Sequence, residues 1–244
     1  DVVVVTAGTA QRPGETRLDL VKRNADIFGE IIPRITECNQ SGILLIASNP
    51  VDVLSYVAWR LSGFPSERVI GSGTVLDTAR FRYLLSEHLD LDPRNVHAYV
   101  VGEHGDSEVP VWSLANVAGM GLETYCHRLQ CDLGDDAQER ISHQVRDAAY
   151  EVIERKGSTY YAVSVALVRI VEAILRDQHT VLSVSHLVTG CYDVEGVYFS
   201  LPAVIGRQGV ERVLELDLAE GEIAALKASA EVLHGVLDEL AMPV

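Results

Sequence analysis

The chain has 244 residues, 48% of them hydrophobic and 23% charged, a composition typical of a globular protein and not of a disordered one. Its formal net charge of −15 argues against nucleic acid or an anionic membrane surface as a partner, since both carry the same sign of charge. A small anionic substrate stays compatible, because a few local arginines can outweigh the mean field. No apolar run reaches the length of about 18 residues that a membrane-spanning helix needs, and we expect no signal peptide.

The first half of the chain alternates between apolar strands and amphipathic helices. Strands are predicted over residues 1–8, 43–48, 69–71 and 96–101. Helices are predicted over residues 18–35, 51–61 and 75–89, and a loop with Pro13 and Gly14 follows the first strand. This alternation predicts an α/β fold with a doubly wound parallel sheet. The first strand reads as buried on both faces, and because a domain seldom begins with such a strand, we expect earlier strands upstream of Asp1.

Beyond about residue 115 the pattern changes to long helices and antiparallel strands. After an antiparallel strand at 108–112, helices are predicted over 136–155 and 159–175, strands over 181–185 and 197–201, and a charged amphipathic helix over 219–240. This second half therefore reads as an α+β region that follows a nucleotide-type sheet.

The four cysteines, Cys38, Cys126, Cys131 and Cys191, form neither a C-x-x-C pair nor a spacing typical of a metal site. Cys126 and Cys131 have only His127 beside them, so a metal site there is the less favoured interpretation. We expect four reduced thiols, no bound metal and a cytoplasmic protein.

The segment Gly102–Ser107 follows a predicted buried strand, so His104 stands just past the carboxyl end of that strand. Ligands of open α/β sheets bind at such strand ends. Glycines on both sides allow a tight turn that leaves the imidazole exposed to a ligand. A histidine there can serve as a proton donor near neutral pH, although it can also simply close the loop by hydrogen bonding.

Asp77 and Arg80 lie three residues apart and hence on one face of the predicted helix 75–89. Such a pair is usually a solvated surface bridge, but the apolar neighbours suggest a largely buried helix, where a charge needs a partner. If Asp77 reached the His104 ring, it would fix the tautomer and raise the pKa of His104. Arg80 would then be free to bind a carboxylate through its planar fork.

Loop residues add further candidates. Arg12 and Arg17 flank the Pro-Gly loop, which lies beyond a strand end, where lids usually form, and a closing arginine can polarise a substrate and expel water. Asn49 either donates to a carbonyl oxygen or caps the helix that follows it. The chain contains no G-x-G-x-x-G, nucleophile elbow or P-loop. The residues alone thus predict a His–Asp–Arg site for a small anionic carbonyl compound.

Five segments together resemble the lactate/malate dehydrogenase family, and within it the bacterial lactate-specific branch. In the order and spacing of the family, they are residues 6–8, 13–18, 48–52, 71–82 and 102–107. The resemblance implies a Rossmann-type NAD-binding remainder at 1–72, an α+β catalytic domain at 73–244, and pyruvate and L-lactate as substrates. It also implies a homotetramer.

The resemblance implies a role for each candidate residue. His104 would be the acid/base that protonates the pyruvate carbonyl oxygen, and Asp77 would orient the imidazolium. Arg80 would hold the substrate carboxylate, and Arg17 would stabilise charge on the carbonyl oxygen. Further substrate contacts are expected from Gln11, Arg17, Asn49 and Thr159. Cofactor contacts are expected from Gly8, Thr9, Ala47, Ser48, Asn49 and Ser72.

Gln11 matches the family position that faces the distal end of the substrate, where malate dehydrogenases carry an arginine. A neutral glutamine tolerates a methyl group and offers a second carboxylate no countercharge, so pyruvate is favoured over oxaloacetate. Arg12 is adjacent, but the spacing from Pro13 to Arg17 places Gln11 at that position.

Arg82 and His97 match positions that bind fructose 1,6-bisphosphate between subunits in many bacterial members of the family. Two cationic groups facing their symmetry mates would repel until a bisphosphate bridged them. The same residues also occur in relatives without this control, so regulation is a hypothesis.

The family's glycine-rich dinucleotide loop and its acidic ribose-binding residue are expected upstream of Asp1. Two alternative functions stay open at this point. One is a malate or other 2-hydroxyacid dehydrogenase, and the other is a truncated, non-catalytic homologue with a structural role.

Overall fold

The computed structural model describes residues 1–9, 17–157 and 159–240, except for the side chains at 17, 18, 153 and 156. Its helices are α1 Arg17–Cys38, α2 Val51–Ser62, α3 Val75–Leu89, α4 Leu122–Leu129, α5 Asp135–Lys156, α6 Tyr161–Leu175 and α7 Glu220–Glu239. Its strands are β1 Val2–Val5, β2 Ile43–Ile46, β3 Val69–Gly71, β4 Val96–Val101, β5 Val109–Val117, β6 Met120–Gly121, β7 Thr180–Thr189, β8 Glu195–Gly206 and β9 Gly209–Val213. In this part of the chain no helix is both long and apolar enough to cross a bilayer.

The strands form two sheets. One has the order β1-β2-β3-β7-β8-β9, in which β1, β2 and β3 are parallel and the remaining pairs are antiparallel. The other is an antiparallel sheet of β4, β5 and β6. This mixed sheet with its helices confirms the predicted α/β fold class. Because β3 pairs with β7, the larger sheet contains strands from both sides of the predicted domain boundary between residues 72 and 73. That boundary stays a prediction.

Burial of the parallel strands follows their place in the sheet. All four residues of β2, Ile43–Ile46, are buried, as expected for an inner strand covered on both faces. β1 pairs with β2 on one side and forms the edge of the described sheet, and Val4 is 40% exposed. Within the described residues β1 is therefore only partly buried, and its cover on both faces stays a prediction.

Besides three 3₁₀ helices at Ser66–Arg68, Pro93–Asn95 and Cys191–Asp193, one short α-helix and two short strands were not predicted from the sequence. They are α4, β6 and β9. In β9 the charged side chains of Glu211 and Arg212 interrupt the apolar alternation that identifies a strand. β9 nevertheless pairs with β8 through a tight hairpin, in which Gly209 has φ 100°. Backbone pairing thus determines this strand more than its side chains do.

Cys126 and Cys131 form a disulfide, with their Cα atoms 4.6 Å apart. Helix α4 ends next to Gln130, which has a left-handed φ of 57° and turns the chain back on itself. The Cys131 amide then donates to the Cys126 carbonyl at 3.2 Å. The prediction of four reduced thiols is wrong for this pair, because the spacing alone does not reveal the reversal, whereas Cys38 and Cys191 are free thiols.

Candidate active site

Helix α3 is anchored at its first turn by buried hydrogen bonds. The Thr74 hydroxyl donates to the Val100 carbonyl at 2.5 Å, and the Thr74 amide donates to the Ser200 hydroxyl at 3.0 Å. Gly73 has φ 51°, and a Cβ atom there would clash with the backbone nitrogen of Ser185. Glycine is therefore required at this close approach of helix and sheet. The anchoring fixes the direction in which α3 presents its first side chains.

The segment Gly102–Ser107 is held by the sheet and by the C-terminal helix. Gly102 exchanges two backbone hydrogen bonds with Ser200 in β8, each 2.9 Å long. The amide of Glu103 donates to the Ser229 hydroxyl of α7 at 2.8 Å. The left-handed φ of 88° at Gly102 provides the turn that directs the next residues out of the sheet. The residues after the turn are thus placed by contacts far apart in sequence.

The His104 imidazole is paired with a buried carboxylate. His104 Nδ1 lies 2.6 Å from Asp77 Oδ2, and Asp77 Oδ1 accepts a hydrogen bond from Arg80 Nη1 at 3.0 Å. The Asp77 side chain is 3% exposed, whereas His104 is 24% and Arg80 17% exposed. The anticipated contact between Asp77 and His104 is present. Arg80 is also bonded to Asp77: one carboxylate oxygen of Asp77 contacts the imidazole, and the other accepts from the guanidinium.

Burial and charge act in opposite directions on these groups. Burial lowers the pKa of His104, but the charge and hydrogen bond of Asp77, together with the charges of Asp52 and Glu108, outweigh it and raise the pKa to about 9. Burial raises the pKa of Asp77, yet the charges of His104 and Arg80 hold it below its usual range. On α2, burial raises the pKa of Asp52 to about 6, although the His104 amide donates to its Oδ2 at 2.7 Å. At neutral pH the site therefore contains an imidazolium beside an ionised carboxylate.

Two cavities meet at the His104 ring. They share Asn49, Arg80, His104 and Ala149. The strand-end lobe, of about 240 Å³, is further lined by Ala47, Ser72, Gly73, Leu76, Thr159, Val163 and Ala166. The helix lobe, of about 330 Å³, is further lined by Leu20, Pro50, Asp77, Gly105, Asp106, Glu108, Arg146 and Tyr150. A molecule bridging the lobes would contact both the imidazole and the guanidinium.

The predicted cofactor residues cluster at the carboxyl ends of the parallel strands. Those that line the strand-end lobe are Ala47, Asn49 and Ser72. Gly8 and Thr9 follow the neighbouring strand β1, and the Thr9 amide donates to Asn24 Oδ1 at 2.9 Å. The Ser48 hydroxyl donates to the Ala7 carbonyl at 2.5 Å, so it ties the ends of β1 and β2 together.

The predicted substrate residues are only partly described. Asn49 lines both lobes, and its peptide bond to Pro50 is cis. Pro50 is the N-cap of α2 and no side chain caps that helix end, so Asn49 does not have the alternative capping role. Thr159 lines the strand-end lobe. Gln11 and the side chain of Arg17 lie outside the described residues.

The two residues proposed for regulation lie apart from the lobes, where α3 packs against β4. The Arg82 Nε donates to the Ala98 carbonyl at 2.8 Å, and its guanidinium carbon lies 5.1 Å from the centre of the Tyr99 ring. The His97 side chain is exposed on β4.

Three buried polar side chains at the site were missed by sequence reasoning. They are Asp52, Glu108 and Ser229. Asp52 had a detectable signal, because it is an acid in an otherwise apolar helix directly after a strand end. Ser229 had no detectable signal in the sequence, since 126 residues separate it from Glu103, whose amide donates to its hydroxyl. Glu108 lay within a predicted antiparallel strand, and a single acid there usually faces solvent.

Comparison with known families gives two adjacent matches. Residues 1–71 match the lactate/malate dehydrogenase NAD-binding domain, and residues 74–242 match the alpha/beta C-terminal domain of the same family.

Individual relatives agree with these matches. An L-lactate dehydrogenase of Thermoanaerobacter pseudethanolicus is 53% identical over 240 residues, which are 98% of this chain and 77% of the relative. L-lactate dehydrogenase 1 of Clostridium acetobutylicum is 50% identical with the same coverage of both proteins. Among solved structures, a lactate dehydrogenase from a Medee basin deep-sea metagenome library has a TM-score of 0.94 at 48% identity, covering 98% of this chain and 76% of that one. The ligand-bound minor L-lactate dehydrogenase of Enterococcus mundtii has a TM-score of 0.94 at 42% identity, with the same coverage.

Proposed function

The chain belongs to the lactate/malate dehydrogenase family, and on that premise we propose that it is an NAD-dependent L-lactate dehydrogenase, which interconverts pyruvate and L-lactate. The observation that carries the proposal is the His104 imidazole, held at 2.6 Å by the buried Asp77 carboxylate beside Arg80. An acid/base next to a carboxylate-binding cation is the pair that reversible reduction of a 2-oxo acid requires.

His104 moves the proton. Asp77 engages the Nδ1 side of the ring, which leaves Nε2 as the nitrogen that serves the cavity. During pyruvate reduction the imidazolium donates its proton to the carbonyl oxygen, and during lactate oxidation the neutral imidazole accepts the hydroxyl proton. Asp77 stays ionised and stabilises the charged ring throughout. The Asp52 carboxylate, bonded to the His104 amide, keeps the ring in position.

The substrate is held by its carboxylate. Arg80 lines both lobes and presents a guanidinium, whose fork matches a carboxylate in a bidentate pair. We propose that Arg17, whose side chain lies outside the described part of the chain, stabilises negative charge that develops on the carbonyl oxygen. Asn49 would donate to the same oxygen, and Thr159 would line the side of the pocket.

The strand-end lobe fits a flat nicotinamide ring. It lies at the carboxyl ends of β2 and β3, where small side chains from Ala47, Ser72 and Gly73 leave room for a planar group. Asn49 and Ser72 would hold the ring, and Gly8, Thr9 and Ser48 at the neighbouring strand ends would face the rest of the dinucleotide. Bound NADH supplies the hydride of the reaction.

The experiment that tests the function is NADH oxidation by the full-length protein, with pyruvate and oxaloacetate assayed in parallel. We expect pyruvate to be preferred, because Gln11 offers the second carboxylate of oxaloacetate no countercharge. Gln11→Arg is expected to reverse this preference, changing the ratio of kcat/KM values by about 10²-fold or more, as one new charge-assisted hydrogen bond is worth about 1.5–3 kcal/mol and a clash with the methyl group adds to it. Arg12→Gln is the matched control and should leave the ratio unchanged. A wild-type preference for oxaloacetate would contradict the proposed specificity, and no oxidation with either substrate would favour a non-catalytic homologue.

We further propose a cytoplasmic homotetramer that fructose 1,6-bisphosphate activates. The exposed imidazole of His97 and the nearby cation of Arg82 provide the chemistry that a bisphosphate binds at a subunit interface. Added fructose 1,6-bisphosphate should lower KM for pyruvate several-fold and raise the assembly state seen by analytical ultracentrifugation. Arg82→Gln should abolish both effects. Equal activity with and without the bisphosphate would contradict the regulation.

A further inference from the structure

Glu108 is a buried carboxyl that the reaction proposed above does not use. Glu108 is 6% exposed and directly precedes strand β5. Its Oε1 atom is buried and has no hydrogen-bond partner among the described residues. Glu108 lines the helix lobe together with Asp77, Arg80 and His104. A buried carboxyl oxygen without a partner destabilises the fold, so its presence beside the acid/base pair points to a role in the site.

The helix lobe also contains a cation with a buried nitrogen that lacks a partner. Arg146 of α5 lines the lobe, and its buried Nε has no partner in the described part of the chain. The groups that face Glu108 or His104 are Asp52 from α2, Asp77 and Arg80 from α3, Asp106 from the loop, and Arg146 and Tyr150 from α5. Glu108 therefore shares the helix lobe with the charged pair on α3 and the cation on α5.

We propose that Glu108 is a positioning residue for the proton transfer, which acts through the Asp77–His104 pair and keeps the imidazole protonated at alkaline pH. This inference rests on the proposed function of His104 as the proton donor to pyruvate. When the Glu108 carboxyl ionises, it adds a negative charge to a poorly solvated wall of the cavity that already holds Asp77. That charge favours the imidazolium over the neutral ring.

The order in which the groups ionise makes this effect specific to alkaline pH. Burial, and after it the Asp77 carboxylate, raises the pKa of Glu108 to about 8, while the charges of His104, Arg146 and Arg80 oppose the rise. Glu108 is therefore mostly neutral near pH 7, where the charges of Asp77 and Asp52 stabilise the imidazolium. As the pH rises through about 8, Glu108 ionises just before His104, whose pKa is raised to about 9, would lose its proton. The value of about 9 includes the charge of Glu108, which therefore delays that loss.

The test compares Glu108→Gln with wild type in the full-length protein. Glutamine keeps the size of the side chain and removes the ionisable group. Pyruvate reduction is measured from about pH 6 to about pH 10, together with the NMR titration of the His104 imidazole in protein labelled with ¹³C-histidine. The His104 signal is assigned by its absence from His104→Asn. Glu139→Gln on α5, where the side chain is 75% exposed, removes the same charge away from the site and serves as the control.

In Glu108→Gln, both the alkaline limb of kcat/KM and the imidazole titration are expected to move down by about half a pH unit or more. The loss of kcat/KM in Glu108→Gln relative to wild type should grow with pH, whereas Glu139→Gln should have the wild-type kcat/KM at every pH. Glu108→Asp, which keeps an ionisable group, should retain the wild-type limb. If Glu108→Gln does not fold, Glu108→Ala provides the second removal of the carboxyl.

An unchanged imidazole titration in Glu108→Gln would overturn the inference, even if the variant lost activity, because a merely structural role would lower rates at every pH. If wild type did not reduce pyruvate, the proposed function would fail, and the NMR titration would still decide whether Glu108 controls the proton of His104.

Discussion

Replacing His104 by asparagine is expected to lower kcat for pyruvate reduction by about 10³-fold, within the range that a positioned general acid contributes. Asparagine keeps a polar side chain of similar reach but cannot supply a proton to the carbonyl oxygen. Binding of NADH, followed by its fluorescence, should change little, because the strand-end lobe keeps its other lining residues. The assay is the steady-state rate of NADH oxidation at saturating pyruvate.

The same residue is expected to determine the pH dependence of the wild-type protein. Since the pKa of His104 is raised to about 9, reduction of pyruvate should be nearly constant around neutral pH and fall as the pH passes about 9. Oxidation of lactate needs the neutral ring and should instead increase over that range. The His104→Asn variant should lose this step in both directions. His143→Asn, at an exposed histidine of α5, is the matched control, and a His104→Asn variant with a tenth of the wild-type kcat would contradict the assignment.

Replacing Arg80 by lysine is expected to have the second large effect, which is a rise in KM for pyruvate. The substitution keeps the positive charge but removes the planar fork that binds a carboxylate through two hydrogen bonds. Loss of one charge-assisted hydrogen bond, about 1.5–3 kcal/mol, should raise KM for pyruvate by about 10–10²-fold. The hydrogen bond from Arg80 to Asp77 is lost as well, so a smaller decrease in kcat should accompany it.

The measurement for Arg80→Lys is the full dependence of rate on pyruvate concentration, with kcat and KM fitted separately. Arg94→Lys is the control, because the Arg94 side chain is 88% exposed and pairs only locally with Asp92. If KM stayed at the wild-type value, the carboxylate would have to be bound by another cation of the helix lobe, for which Arg146 is the candidate.

The fold class followed from the sequence because the parallel strands are continuous apolar runs ending in small turns. Ile43–Ile46 shows this pattern most clearly, and it is fully buried. The pair of Asp77 and His104 was also accessible, since each residue lies at a recognisable place, one in the first turn of a helix and the other just beyond a strand end. Positions defined by local pattern were thus the ones that sequence reasoning could bring together.

The rest depended on contacts that no local pattern records. The disulfide of Cys126 and Cys131 depends on a left-handed residue that reverses the chain after α4. The division of the Asp77 carboxylate between His104 and Arg80 depends on the orientation of the three side chains, which the sequence pattern does not specify. Glu108 lines the helix lobe together with Arg146 of α5, and the sequence separation of these segments hides this proximity.

The hydroxyl of Ser229 links the loop Gly102–Ser107 to helix α7. It accepts from the Glu103 amide at 2.8 Å, and it belongs to α7, which packs into the core through buried leucines at 226, 233 and 237. If α7 detached in a local opening event, the loop would lose this support next to His104 while the parallel sheet stayed intact. Amide hydrogen exchange at Glu103 therefore reports on the docking of a helix more than a hundred residues away. Opening of α7 would thus loosen the backbone next to His104, while Asp52 and Asp77 still hold the histidine itself.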